Sequence, residues 1–215
     1  MATKLAEKKK QEIIEPLEAP KLVISAEDFN IPRMNLIQKI SNIEGPVGGY
    51  VLDRKHVVLD KDQSTLAVIV KADKFWRENV PYESDQIARI AHTEAQKKAI
   101  EADSDPSSRM IKCVDFVLLI AQPKGADDEM FPYDLGGTNY ALVNFQTQKD
   151  GFDFTFGRLA TSQLANPDIP LCGKAWSFQS ELLTKGKNSW FVPTLEATKV
   201  ITSDEVRDFV VRIAS

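Results

Sequence analysis

The stretch TLAVIVKADKFW (residues 65–76) joins a run of β-branched and apolar residues to a basic and aromatic end. Val, Ile and Thr pack well on a pleated surface, and their stiff side chains disfavour helices, so this stretch predicts a β-strand. MIKCVDFVLLIAQ (residues 110–122) is long and apolar enough to be a central strand. Strands are therefore expected to dominate the fold.

Shorter stretches on both sides also predict strands, with turn signals between them. On the N-terminal side these are MNLIQKIS (34–41), which follows Pro32, and YVLDRKHVVL (50–59), which follows a glycine-rich turn. On the C-terminal side they are YALVNFQ (140–146), FDFTF (152–156), KAWSFQSELLT (174–184) and SWFVPTL (189–195). The Asp150-Gly151 pair predicts a turn in which glycine supplies a positive φ. The last two stretches predict a hairpin, and residues 157–166 fit either a strand or a helix.

Two segments have the spacing of amphipathic helices. Residues 84–103 place apolar side chains at helical intervals, with Ser84 as the N-cap and Asp85 in the first turn. Near the C-terminus, Thr202 and Glu205 fit a capping box for a helix over 203–213. The helix carries an apolar stripe formed by Val206, Phe209, Val210 and Ile213. This stripe could pack on the protein's own sheet or on a partner.

These elements predict a β-dominated α+β fold. Strands do not alternate with helices, which disfavours a doubly wound parallel sheet, and a closed or nearly closed antiparallel barrel would hide the sheet edges. Residues 1–21 mix Lys, Glu and Pro and predict a flexible charged arm. Residues 22–215 then form one domain, with an acidic helical insertion at about 78–109.

The 215 residues carry a net charge of −4, distributed unevenly. Residues 31–77 hold eight basic and five acidic residues, whereas residues 78–137 hold six basic and twelve acidic ones. A net negative charge argues against coating duplex DNA by bulk attraction, but it leaves a local positive groove possible. Two distant cysteines and the lack of a long apolar run favour a cytoplasmic protein without a membrane span or secretory signal.

The sequence contains no recognisable catalytic motif, so we expect a protein that is not an enzyme and that uses no cofactor or metal. The histidines, His56 and His92, lack partners at metal-binding spacing, and the glycine-rich turn at 45–49 lacks the Lys-Ser/Thr of a phosphate loop. The acidic run at 127–129 is interpreted as a surface turn.

Three regions combine cations with aromatic rings, which single-stranded nucleic acid requires for phosphate contacts and base stacking. The candidate binding residues of these regions are Lys71, Lys74, Phe75, Trp76, Arg77, Tyr82, Lys149, Arg158, Lys174, Lys185, Lys187 and Trp190. Alternating aromatic residues on strands are more often core, and we expect this for Phe154, Phe156, Trp176 and Phe178. Trp76, beside Arg77 at a strand end, is the tryptophan most expected to be exposed.

The order of these motifs resembles tailed-phage single-stranded DNA-binding proteins of the replication region. IPRMNLIQKIS, TLAVIVKADKFW, YALVNFQTQ, FGRL and the closing Trp-rich hairpin carry the resemblance, over residues 31–195 with gaps. It implies an OB-like barrel and adds Arg33 and Lys39 to the binding face. It also implies phage or host replication or recombination proteins as partners, although the acidic C-terminal tail of many such proteins is absent.

Two other functions remain open at this point. The charged arm and the unremarkable net charge would suit a virion structural or decoration protein. Alternatively, the acidic insertion could capture a host protein by mimicking DNA, with Asp127, Asp128 and Glu129 in the contact. The sequence leaves the oligomeric state undecided.

Overall fold

The computed structural model of the chain describes residues 30–81, 85–104 and 109–214. The arm predicted for residues 1–21, the Ser84 cap and the candidate residue Tyr82 lie outside these ranges. The described residues form a strand-dominated α+β structure whose sheet curls into a half-barrel.

Ten strands of the described residues belong to one sheet. They are β1 (Arg33–Leu36), β2 (Tyr50–Leu52), β3 (His56–Leu59), β4 (Thr65–Glu78), β5 (Ile90–Ala91), β6 (Met110–Ala121), β7 (Tyr133–Asp134), β8 (Asn139–Gln148), β9 (Lys174–Lys185) and β10 (Asn188–Ile201). The order along the sheet is β10-β9-β4-β6-β8-β1-β2-β3, with β5 beside β4 and β7 beside β8. The predicted long strands and the β9–β10 hairpin are confirmed.

The sheet is not wholly antiparallel, and this corrects the expected antiparallel barrel. Strand β1 pairs with β8 in parallel, with Arg33 opposite Asn144. It then pairs antiparallel with β2. Strand β1 lies between β8 and β2, and its pairing with both decides whether it runs parallel or antiparallel to each of them. The local sequence pattern of β1 carries no information on these directions.

The two ends of the curled sheet meet through side chains. Gln38 Nε2 donates to the carbonyl of Phe191 at 2.7 Å, and the amide of Phe191 donates to Gln38 Oε1 at 3.0 Å. The Tyr50 hydroxyl donates to the carbonyl of Gln179 at 2.9 Å. The Gln38 side chain therefore forms the hydrogen bonds with β10 that the backbone of a neighbouring strand would form. Strand β1 ends at Leu36, whereas the sequence predicts a strand as far as residue 41.

Apolar side chains are buried on both faces of the sheet. The inner face holds a core around Tyr50, Phe145 and Phe178, whose rings contact one another. The outer face is covered by helix α4 (Asp204–Ala214), whose stripe packs on Val68 and Leu119 of the sheet. The predicted terminal helix is therefore confirmed, and its apolar stripe is covered by the protein's own sheet.

The cap of this helix differs from the predicted capping box. The hydroxyl of Ser203, not Thr202, accepts from the amide of Val206, at 3.4 Å. The Thr202 hydroxyl instead donates to the carbonyl of Cys172 at 2.6 Å. Thr202 is buried there and ties the start of the helix to the segment before β9.

The expected strand at residues 152–156 is wrong. Helix α2 (Asp150–Phe152) continues through a π-helical turn (Asp153–Gly157) into α3 (Arg158–Ala165). Phe152 and Phe156 are four residues apart and stack at 5.1 Å between ring centroids, which a helix allows and a strand does not. Gly151 has an ordinary φ, and its missing side chain lets the helix approach Thr147 and Pro193 closely.

The inserted segment also differs from its prediction. Its helix α1 (Glu94–Asp103) begins ten residues later than expected, with Thr93 as N-cap and Gln96 completing a capping box. Residues 90–91 instead form strand β5 along β4. Because Ile90 and Ala91 gain backbone partners on β4, sheet pairing overrides their helical spacing.

Candidate nucleic-acid interface

A groove of about 670 Å³ opens where the two ends of the sheet meet. Its walls come from three segments: β1 with the loop that follows it, the end of β8 with residues 149–151, and residues 189–193 of β10. Gln38 spans from the first wall to the third and fixes their separation. The groove is therefore formed by tertiary contacts rather than by one local motif.

Three of the predicted cations line this groove. Arg33, Lys39 and Lys149 are all exposed, and they come from β1, from the loop after β1 and from the turn after β8. The acidic residue Asp150 also lines the groove, but Lys185 pairs with its carboxylate at 2.6 Å. The groove consequently has an excess of positive charge on a chain that is acidic overall.

An aromatic ring lies among these cations. Trp190 lines the groove and is half-buried, so part of the indole is available for contact. The Lys185 ammonium lies 5.7 Å from the centre of the indole ring. Ile40, on the loop, also lines the groove with 95% of its surface exposed. Apolar side chains that are so accessible beside cations can contact the bases or the sugars of a bound strand.

The backbone at Lys149 is strained. Its φ of 54° and ψ of −127° are close to the mirror image of the first central position of a type II turn, where glycine is strongly favoured. A lysine in such a conformation costs on the order of 1–3 kcal/mol, which the surrounding structure must offset. Strain of this kind concentrates at functional sites, and here the strained residue supplies one of the groove's cations.

Trp76, the tryptophan most expected to be exposed, is buried, and so is the neighbouring candidate Phe75. Phe75 is 4% and Trp76 is 8% exposed. Strand β5 pairs along Trp76, and the ammonium groups of Lys74 and Lys97 lie 4.7 and 5.9 Å from the indole ring centre. His92 lies beside Phe75 at 6.0 Å between ring centres. The insertion therefore covers both rings, and neither offers a face for base stacking.

The remaining predicted cations are dispersed. Lys71 pairs with Asp73 at 2.8 Å, and Arg77 lines a separate pocket. Arg158 pairs with Glu196 at 3.1 Å and lies over the ring of Phe154. Lys174 is half-buried beside a small cavity, whereas Lys187 is exposed at the tip of the β9–β10 hairpin. Trp76, Arg77 and Arg158 thus do not share the groove with Trp190.

Of the four aromatic residues expected in the core, two are fully buried. Trp176 and Phe178 are 3% and 0% exposed, which confirms that part of the prediction. Phe154 and Phe156 are half-buried on the helical segment. Phe156 packs against the inner core, whereas Phe154 is covered by Arg158.

The titratable groups with shifted pKa values belong to structural contacts. Arg89 donates two hydrogen bonds to the Glu78 carboxylate, each at 3.0 Å, and these hold the pKa of Glu78 at about 2. Burial raises the pKa of the Cys113 thiol to about 11, so that this cysteine is a poor nucleophile at neutral pH. Among the described residues, no group of three or more His, Cys, Asp or Glu side chains could hold a metal ion.

The acidic run at 127–129 has local structural contacts. The Asp127 carboxylate accepts from the amide of Glu129 at 3.1 Å and caps a short 3-10 turn. Asp128 accepts from Gln122 Nε2 at 2.6 Å. Two of the three acids therefore stabilise the loop itself.

Sequence reasoning missed Gln38, Ile40 and Phe191, which help to form the groove. A glutamine carries no sign that it will bond a backbone 153 residues away. The basic and aromatic residues around Lys149 and Trp190 are the sequence signal for this site, and they predict two of the residues that line the groove.

Comparison with protein-family models, with curated proteins and with solved structures finds no match. In the part of the chain that the structure describes, no helix is long and apolar enough to cross a membrane. The fold and the groove define a strand-rich protein with a cationic, partly aromatic surface cleft.

Proposed function

We propose that the protein binds single-stranded DNA in the groove, without sequence preference and without catalysis. The observation that carries the proposal is the meeting of Arg33, Lys39 and Lys149 with the half-buried side chain of Trp190. Cations that follow a groove can contact successive phosphates, and an indole can stack on any base. The lack of a base-specific donor pattern in this mechanism makes it tolerant of sequence.

The proposal includes a role in a phage replication or recombination module, in the cytoplasm of the host and with replication or recombination proteins as partners. The resemblance of the motif order suggests this context. An OB-like designation for the barrel is likewise proposed, supported by a curled strand-rich sheet. The ten strands exceed the five of an OB barrel, so the groove gives the stronger support for function.

The principal test is the salt dependence of binding, measured by fluorescence anisotropy of a labelled oligo-dT. Three phosphate contacts on a single strand predict a slope of about −2 in log K against log salt. Affinity should therefore fall roughly 15- to 20-fold between about 50 and about 200 mM salt. Absence of binding at low micromolar protein in about 50 mM salt would remove the proposal.

Charge variants then assign the binding to the groove. Alanine at Arg33, Lys39 or Lys149 should each reduce the magnitude of the slope by about 0.7. Lys199→Ala is the matched control, because Lys199 is an exposed cation of β10 that does not line the groove. A Lys71→Ala, Lys74→Ala double variant tests the β4 cluster. Loss of binding there, with groove variants unchanged, would place the site on β4 instead.

Trp190 variants separate stacking from charge. Trp190→Ala should weaken binding by about 1–3 kcal/mol with an unchanged salt slope, whereas Trp190→Phe should keep most of the affinity. Competition with duplex DNA and with RNA of the same sequence measures the preference for single-stranded DNA. Co-purification with particles, or capture of a host protein, together with no DNA binding, would favour the structural or inhibitor alternatives.

A further inference from the structure

A second pocket lies beside the groove, and the two share the lining residue Gln148. Gln148 also borders a polar pocket of about 260 Å³ whose other side holds Arg77 of β4 and Ile111 of β6. The two spaces therefore share a wall at the end of β8. A strand that leaves the groove beside Lys149 would meet this pocket next.

The register of the sheet puts Arg77 and Gln148 on the same face. The Cys113 thiol donates to Gln148 Oε1 at 3.7 Å, and Cys113 also lies opposite Phe75 on β4. Side chains alternate along a strand, so Arg77, two residues beyond Phe75, projects from this face as well. Two strand spacings, about 10 Å, separate β8 from β4.

The acidic insertion forms the far wall of this pocket, through Asn79, Pro81 and Gln86 among others. The acid closest in sequence to Arg77 is Glu78, whose carboxylate accepts from Arg89 and from the Ser104 hydroxyl at 2.8 Å. Its charge is thus compensated inside the protein. The insertion is acidic in total, yet among the described residues that line the pocket Glu78 is the one acid, and it is paired.

Two acids of the same face, Asp115 and Asp73, lie opposite each other on β6 and β4, and Lys71 pairs with Asp73 at 2.8 Å. Asp115 is two residues from Cys113 along β6 and accepts from Gln146 Nε2 at 2.7 Å. A phosphate between Gln148 and Arg77 would lie toward the Ile111 side, because Ile111 and not Asp115 borders the pocket. The geometry thus favours a path along the insertion.

We infer that this pocket is a second phosphate subsite, in which Arg77 binds a backbone phosphate of a strand already held in the groove. The insertion serves as the wall that guides the strand to it. The inference rests on the proposed function and extends it to a longer binding footprint. Long single strands would occupy both spaces, and short ones only the groove.

The test uses two labelled oligo-dT lengths, about 5 and about 15 nucleotides, which lie near the two ends of the range of single-strand site sizes. Arg77→Ala should weaken binding of the longer oligonucleotide about 3- to 10-fold and reduce its salt slope by about 0.7, and should leave the shorter one unchanged. Arg77→Lys keeps the charge and should restore most of the affinity. Lys199→Ala is the matched control, because Lys199 is an exposed cation that lines neither the groove nor the pocket, and thermal unfolding checks that each variant folds.

The outcomes separate this inference from the proposed function. If groove variants weaken both lengths while Arg77→Ala weakens neither, or weakens both equally, the second subsite is refuted and the groove stands. If the wild-type protein binds neither length, the proposed function fails and the subsite with it. Loss confined to the longer oligonucleotide supports both.

Discussion

Replacing the strained lysine by glycine should stabilise the protein and weaken DNA binding at once. At Lys149, with φ of 54° and ψ of −127°, a side chain costs on the order of 1–3 kcal/mol that glycine avoids. Glycine also gives the unfolded chain more freedom, which costs about 0.4–1 kcal/mol. The difference predicts a net stabilisation of about 1 kcal/mol, or an increase in Tm of about 2–4 °C for a chain of this size.

Thermal and urea unfolding measure the stability of Lys149→Gly, and anisotropy with oligo-dT measures its binding. Lys149→Ala is the control that separates the two effects. It removes the same charge and keeps a Cβ. It should therefore reduce the magnitude of the slope of log K against log salt by about 0.7, without the increase in Tm. If Lys149→Gly is no more stable than Lys149→Ala, the backbone stores no strain at this residue, and the reasoning is refuted.

Three further variants test the contacts that hold the fold together. Gln38→Ala removes two hydrogen bonds and should lower the free energy of unfolding by about 1–3 kcal/mol, seen as a lower urea midpoint, with weaker oligo-dT binding; unchanged values would contradict its bridging role. The depressed pKa of Glu78 contributes stability that is present above pH 4.5 and is lost as the pH falls toward about 2. Unfolding curves of Glu78→Gln should lack that part of the pH dependence, and curves parallel to wild type would disprove it. Phe209→Ala should destabilise by about 3–5 kcal/mol, whereas the exposed Val211→Ala stays within about 0.5 kcal/mol; equal effects would mean that the stripe is not packed as described.

The local elements could be predicted wherever one pattern fits one structure. The stripe around Phe209 and the β-branched run starting at Thr65 each fit a single periodicity, and both elements form. Phe152, Phe154 and Phe156 fit two periodicities. They alternate as residues of a strand do, and Phe152 and Phe156 are also four residues apart, which is a helical spacing. Close packing of Gly151 against Thr147 and Pro193 selects the helix, and these contacts are not visible locally.

The site could be predicted only in part, for the same reason. Composition identified Lys149 and Trp190 as belonging to basic and aromatic regions, but which regions meet depends on the curl of the sheet. Trp76 has the same type of neighbours as Trp190 and is nevertheless buried, because the insertion that follows it in the chain folds back over it. Exposure is a property of the assembled structure, and a single sequence reports it weakly.

The glutamine bridge to β10 has a consequence for self-association. An open strand edge exposes amides and carbonyls that another copy of the chain could pair with. At Phe191 both groups are already taken by Gln38, and two residues on Pro193 has no amide hydrogen to give. At Phe191 and Pro193 this edge therefore offers no free amide hydrogen to a strand of another copy of the chain.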